Sequence, residues 1–251
     1  MSSALISADA LYKLLPTTGI KVLDGTYPAH MAEPVRIPNA VTFDIDDVAD
    51  PEHPLPHTAP DALTFQKKVR ELGINRDDHI VVYDQHGGYM AAARVWWLFR
   101  LFGHENIQVL DGGLKAWMDS GYEVGHMQTA LPPEGDFEAE LNKDLIKTHA
   151  DIVENLVNPQ FAVLDARAPE RFENEGHIPD SQNMFFGKFI DPKTGKFNNK
   201  AIPQTSKGQP LVASCNSGVT ACYTALALYE NGFRNVAVYD GSWQDWQRHE
   251  D

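Results

Sequence analysis

Short apolar runs alternate with longer stretches of helical periodicity along most of this 251-residue chain. The runs Lys21–Asp24, Ile80–Asp84, Ile107–Leu110, Phe161–Asp165, Leu211–Ser214 and Val236–Tyr239 predict strands. Between them, helices are predicted at Asp61–Leu72, Met90–Phe102, Ala150–Leu156 and Val219–Asn231, with Gly103 and Gly232 as stops. Strands that alternate with helices imply an α/β fold built on parallel sheets flanked by helices. Ligands of such sheets collect outside the carboxyl ends of the strands.

The pattern occurs twice. Val22-Leu23-Asp24-Gly25-Thr26 resembles Val163-Leu164-Asp165-Ala166-Arg167, and an Ile-Pro pair follows thirteen residues after each aspartate, at Ile37 and at Ile178. Val109-Leu110-Asp111-Gly112-Gly113 with Trp117 matches Val238-Tyr239-Asp240-Gly241-Ser242 with Trp246. Three ordered matches at a spacing of this length mark two homologous domains, not a solenoid. Met127–Leu141, broken by Pro132-Pro133-Glu134-Gly135, reads as the connection. The domains are expected at 1–128 and 144–251, with a linker at 129–143.

The two halves differ where the chemistry is expected. Leu211–Ser214 runs into Cys215-Asn216-Ser217-Gly218 and then a helix. Backbone N–H groups converge in such a turn, and the helix N-terminus adds partial positive charge. Both favour a sulfur anion, which makes Cys215 the candidate nucleophile. Cys222, seven residues on, has neither the Cys-x-x-Cys spacing of a zinc or redox site nor a loop, and reads as a small core residue. In the first half, Ile80–Asp84 leads into Gln85-His86-Gly87-Gly88. Asp84 then stands where Cys215 stands, as a cap for the following helix.

Composition narrows the classes. Apolar residues make up 43% of the chain, enough for a packed core, and the formal charge is −14. A net anionic surface opposes nucleic-acid and anionic-membrane binding and requires a local cationic site for any anionic substrate. No apolar run reaches the length of a membrane span, and the N-terminus lacks the features of a secretory signal. With only two cysteines, a reducing, cytoplasmic setting is expected. The chain is expected to act as a monomer.

These features resemble the tandem rhodanese-like sulfurtransferases over nearly the whole chain, from Val22 to Trp246. Cys215-Asn216-Ser217-Gly218-Val219-Thr220 is similar to the six-residue active loop of the 3-mercaptopyruvate sulfurtransferase branch, Cys-Gly-Ser-Gly-Val-Thr. Gly176-His177-Ile178-Pro179 and Val238-Tyr239-Asp240-Gly241-Ser242-Trp243 are similar to further family signatures. The resemblance implies two rhodanese-like domains and a Cys215 persulfide, with Asn216, Gly218, Val219 and Thr220 cradling the substrate. Arg171 is implied to bind a small anionic sulfur donor. His53, in Glu52-His53-Pro54-Leu55-Pro56, is implied to join Asp46 and Ser217 in a hydrogen-bonded relay. The acceptor is implied to be a small thiol, thioredoxin or cyanide, with no cofactor and no metal. Two departures stand out. Asn216 replaces the loop glycine, and the second arginine that the branch carries before Gly-His-Ile-Pro is absent from Phe172–Gly176.

Four alternatives compete on the residues alone. Thiosulfate, a compact dianion whose cleavage is eased by cationic loop groups, is the alternative donor. Arg171 could be a surface ion pair with Glu170 or Glu173. A cysteine phosphatase uses a similar turn, but needs an arginine where Ala221 stands. A duplicated domain of this kind could also be a binding module without catalysis.

Overall fold

The computed structural model describes residues 3–28, 31, 34–87, 90–126, 132–199 and 207–250. Gly88 of the first-half loop and residues 127–131 of the expected linker lie outside the described residues.

The first half comprises β1 (Leu5–Ile6), α1 (Ala8–Leu14), β2 (Ile20–Asp24), β3 (Val41–Thr42), α2 (Ile45–Val48), α3 (Ala62–Glu71), β4 (His79–Tyr83), α4 (Ala91–Leu101), β5 (Ile107–Leu110) and α5 (Gly113–Asp119). The second comprises β6 (Ile146–Lys147), α6 (His149–Val157), β7 (Ala162–Asp165), α7 (Pro169–Asn174), β8 (Gln182–Asn183), β9 (Leu211–Ser214), α8 (Val219–Glu230), β10 (Val236–Tyr239) and α9 (Ser242–Glu250). Among the described residues the strands form two five-stranded parallel sheets, ordered β1-β5-β4-β2-β3 and β6-β10-β9-β7-β8. Adding five to each label of the first sheet reproduces the second, so the sequence duplication is a duplication of topology.

All six predicted strands and all four predicted helices are present, each end within two residues of its expected position. Asp61 caps α3 by accepting the Thr64 N–H at 2.8 Å. The edge strands β1, β3, β6 and β8 have two residues each and carry no readable period.

A helix that is apolar all round must be buried all round. In α4 every residue except Arg100 is buried, and in α8 the whole stretch Ala221–Leu228 is buried. The two helices pack against each other, each covering its own sheet on the opposite side, and form the seam between the domains. Residues 132–142 form no regular element but do not hang free. Backbone N–H groups of Gly135, Phe137, Glu140 and Asn142 donate to Arg70, Ile74, Phe102 and Leu101. Phe137 is buried against Phe65 and Phe99. The connection is therefore a strap that completes the first domain's core.

Candidate active site

Cys215 directly follows β9 and lies at the carboxyl end of the second sheet, as the strand–loop–helix pattern requires. It is buried. Its N–H donates to Ser242 Oγ at 3.1 Å, and its carbonyl accepts from Trp243 N–H at 3.1 Å. Asn216 is held likewise, its carbonyl accepting from Gln244 N–H at 3.0 Å. The start of α9 thus clamps the loop from below. Gly218 occupies the helix N-cap with φ +79, and a Cβ there would lie 2.4 Å from the Asp240 carbonyl oxygen. Only glycine satisfies both constraints. Gly218 has no side chain to cap α8, and among the described residues no other side chain accepts from its first-turn N–H groups, which have no acceptor within the helix. The positive end of α8 therefore opens onto the loop that carries Cys215.

Above the loop lies a cavity of about 330 Å³. Cys215, Asn216, Ser217, Val219 and Thr220 line one side, and Arg167 and Arg171 the flank. The first domain contributes Tyr27, Ile45, Met90 and His57, and Phe185 and Phe186 add an apolar wall. The site is a cleft between domains.

Arg171 lies at the rim, half exposed. Its Nε and Nη2 grip Glu175 at 2.8–3.0 Å, and Nη2 also donates to Asn216 Oδ1 at 3.0 Å. The partner is Glu175, one turn along from Arg171, not Glu170 or Glu173. The hydrogen bonds to Glu175, more than any other cause, raise the Arg171 pKa. Nη1 makes no hydrogen bond among the described residues. Arg167 is buried, bidentate to Asp165 at 2.8–3.1 Å, bonded to the Gly176 carbonyl at 2.7 Å and stacked over Trp243 at 4.8 Å. It is the structural partner of a carboxylate, standing behind Arg171.

The expected relay is corrected. His53 does not reach Cys215. It is exposed and lines a different cavity with Asp245, Arg248 and His249, and its Nδ1 faces Leu55 N–H at 3.2 Å and Thr58 Oγ1 at 3.0 Å. The turn through Pro54-Leu55-Pro56 directs His57 into the catalytic cavity instead. His57 adopts φ +63 and pairs through Nδ1 with Asp46 Oδ1. Tyr27 Oη donates to Asp46 Oδ2 at 2.7 Å, and that bond, chiefly, pushes the Tyr27 pKa up to about 12. Asp46 thus belongs to the site, through His57 and Tyr27. Two histidines four residues apart in one proline-rich loop give sequence reading no means of choosing between them. Only the left-handed turn at His57 separates them.

Cys222 is the core residue its pattern predicts. It is fully buried, its Sγ donates to the Gly218 carbonyl at 3.1 Å, and burial pushes its thiol pKa up to about 12.

A family model for the rhodanese-like domain matches residues 7–120 and again 148–249. The chain belongs to the rhodanese-like family. The 3-mercaptopyruvate sulfurtransferase of Mus musculus is 36% identical across 97% of this chain and 90% of its own length. The thiosulfate sulfurtransferase of Gallus gallus is 36% identical across 98% and 94%. Among solved structures, SseA from Escherichia coli, a 3-mercaptopyruvate sulfotransferase, superposes with a TM-score of 0.86 at 32% identity, covering 96% of this chain and 99% of that one.

The first rhodanese-like domain has closed its own version of the site. Asp84 is buried, and its carboxylate accepts from His86 N–H at 2.8 Å and from Ala92 N–H in the first turn of α4 at 3.1 Å. A built-in anion occupies the N-terminus of α4. The two domains also exchange loops. Asp240 Oδ2 accepts from Ala59 N–H of the first domain at 2.8 Å, and Asp111 Oδ1 accepts from Phe197 N–H of the second at 2.7 Å. One exchange delivers His57 to the live site; the other lays the 190–197 hairpin over the closed one.

Proposed function

We propose that this rhodanese-family sulfurtransferase takes the sulfane sulfur of 3-mercaptopyruvate onto Cys215 and passes it to a small thiol, thioredoxin or cyanide. The single observation that carries the reading is the position of Cys215, in the loop that opens α8, lining a cleft that also holds Arg171 and the His57–Asp46 pair. The Cys215 thiolate attacks the donor sulfur and a sulfur–sulfur bond forms. The donor carbon–sulfur bond breaks, and its electron pair leaves with the pyruvate enolate, which must gain a proton. Ser217, backed by His57 and Asp46, relays that proton. The N–H groups at the head of α8 stabilise the anionic terminal sulfur of the persulfide. Arg171 holds the donor carboxylate through Nη1 while Glu175 and Asn216 fix its other edge. The acceptor thiolate then attacks the terminal sulfur and restores Cys215. Two free thiols suit the reducing cytoplasm, where the chain works as a monomer in this reading.

Steady-state kcat/KM with each donor tests the reading. It should favour mercaptopyruvate over thiosulfate, and Ser217→Ala and His57→Ala should impair the mercaptopyruvate reaction far more, because sulfite needs no proton to leave. A preference for thiosulfate, with both variants unaffected, would assign the chain to thiosulfate chemistry.

A further inference from the structure

Arg94 stands on α4 at the seam of the domains and is fully buried. Its guanidinium stacks over Trp97 at 4.4 Å. Nη1 meets Asp240 Oδ1 at 2.6 Å and lies 3.8 Å from Cys222 Sγ, and Nη2 donates to the carbonyl of His57. Asp240, across the domain boundary, accepts the N–H of Ala59 through its other oxygen. One ion pair therefore grips the His57 loop at two points, residues 57 and 59. A non-glycine residue at positive φ is strained and persists only where its surroundings hold it; His57 is such a residue. The Asp240 carbonyl also sits directly under Gly218, so the anchor of Arg94 backs the Cys215 loop as well.

The duplication supplies an internal comparison. Arg94 lies nine residues before Gly103, and Tyr223 lies nine before Gly232. Tyr223 Oη donates to the Phe189 carbonyl at 3.3 Å, a neutral bond within its own domain. Asp111, the counterpart of Asp240, meets the Phe197 N–H and no arginine among the described residues. The charged, boundary-crossing version occurs on the side that faces Cys215. A buried ion pair is often no more stable than apolar replacements of similar volume, so stability alone does not account for it.

We propose that Arg94 is a positioning residue for sulfur transfer: paired with Asp240, it sets His57 against the Cys215 loop across the domain boundary. This rests on the reading of His57 as part of the proton relay.

The test measures kcat and KM with mercaptopyruvate and with thiosulfate, alongside thermal unfolding. It compares the pair variant Arg94→Met/Asp240→Asn, the single variant Arg94→Lys, His57→Ala, and the pair variant combined with His57→Ala. The pair variant leaves no lone buried charge. It should unfold near the wild-type temperature yet lose about tenfold or more in mercaptopyruvate kcat, with KM and thiosulfate turnover changed much less. Added to His57→Ala, it should cause little further loss. If the pair variant does not fold, Arg94→Lys carries the same expectations, because an ammonium can meet Asp240 but lacks the second arm that reaches His57. Unchanged mercaptopyruvate kcat, equal losses with both donors, or losses that add fully to those of His57→Ala would overturn the proposal. His57→Ala with full mercaptopyruvate activity would instead show the relay itself to be wrong, whatever Arg94 does.

Discussion

The two strand–loop–helix turns, one at the head of α4 and one at the head of α8, begin from the same architecture and end in opposite states. At α4 the Asp84 carboxylate accepts one N–H of the first turn, that of Ala92, and one of the preceding loop, that of His86. At α8 no side chain among the described residues does so, and the loop that leads into the helix carries a cysteine. A helix N-terminus favours an anion in either case. Supplying that anion from the chain stabilises a fold. Leaving the place for a reacting sulfur makes a site and forgoes the stabilisation. The loops exchanged between the domains follow the same division, since residues 57–59, held by the Arg94–Asp240 ion pair, bring a histidine to the Cys215 cleft, whereas 190–197 brings a backbone N–H to Asp111. Burial, more than any other cause, raises the Asp111 pKa, as suits a carboxylate enclosed by that hairpin.

Each element of this contrast can be broken. The largest effect is expected at the open turn itself: Cys215→Ser should abolish sulfur transfer with either donor while the far-UV circular dichroism spectrum stays unchanged. His57→Ala should lower mercaptopyruvate kcat by about a hundredfold, the usual contribution of a positioned acid–base group, and His53→Ala should leave it nearly unchanged. Equal effects at the two histidines would contradict their observed placement. Arg171→Ala should raise the mercaptopyruvate KM by about ten- to a hundredfold, the worth of a charge-assisted hydrogen bond of about 1.5–3 kcal/mol. Unchanged kinetics would leave Arg171 as the surface partner of Glu175 alone. At the closed turn, Asp84→Ala should cost about 1–3 kcal/mol in denaturant unfolding, because buried N–H groups lose their acceptor, with little change in kcat. A variant that lost activity but not stability would deny that the first domain's turn is purely structural. The smallest effect is expected at Cys222. With its thiol pKa pushed up to about 12 by burial, it should resist iodoacetamide in the folded protein at neutral pH, and Cys222→Ser should retain most activity.

Much of this contrast is legible in the sequence because it depends on local pattern. Strands of four or five apolar residues, helices with clear stops, and the paired Val-x-Asp-Gly segments are short-range signals, and Asp84 and Cys215 follow from position in them. Two-residue edge strands leave no such signal. The Glu175 partner of Arg171 was accessible: Pro169 opens α7, and four-residue spacing along that helix leads from Arg171 to Glu175. His57, Tyr27 and Arg94 were not. Their roles depend on a left-handed turn and on contacts across the seam, and neither leaves a mark in local periodicity.

Covalent sulfur at Cys215 is the central requirement of sulfur transfer by this protein. Intact-protein mass spectrometry after brief exposure to 3-mercaptopyruvate without acceptor measures this directly. The wild-type protein should gain about 32 Da, lose it on addition of a thiol, and Cys215→Ser should gain nothing. An unmodified wild type, or an equal gain in Cys215→Ser, would contradict the account.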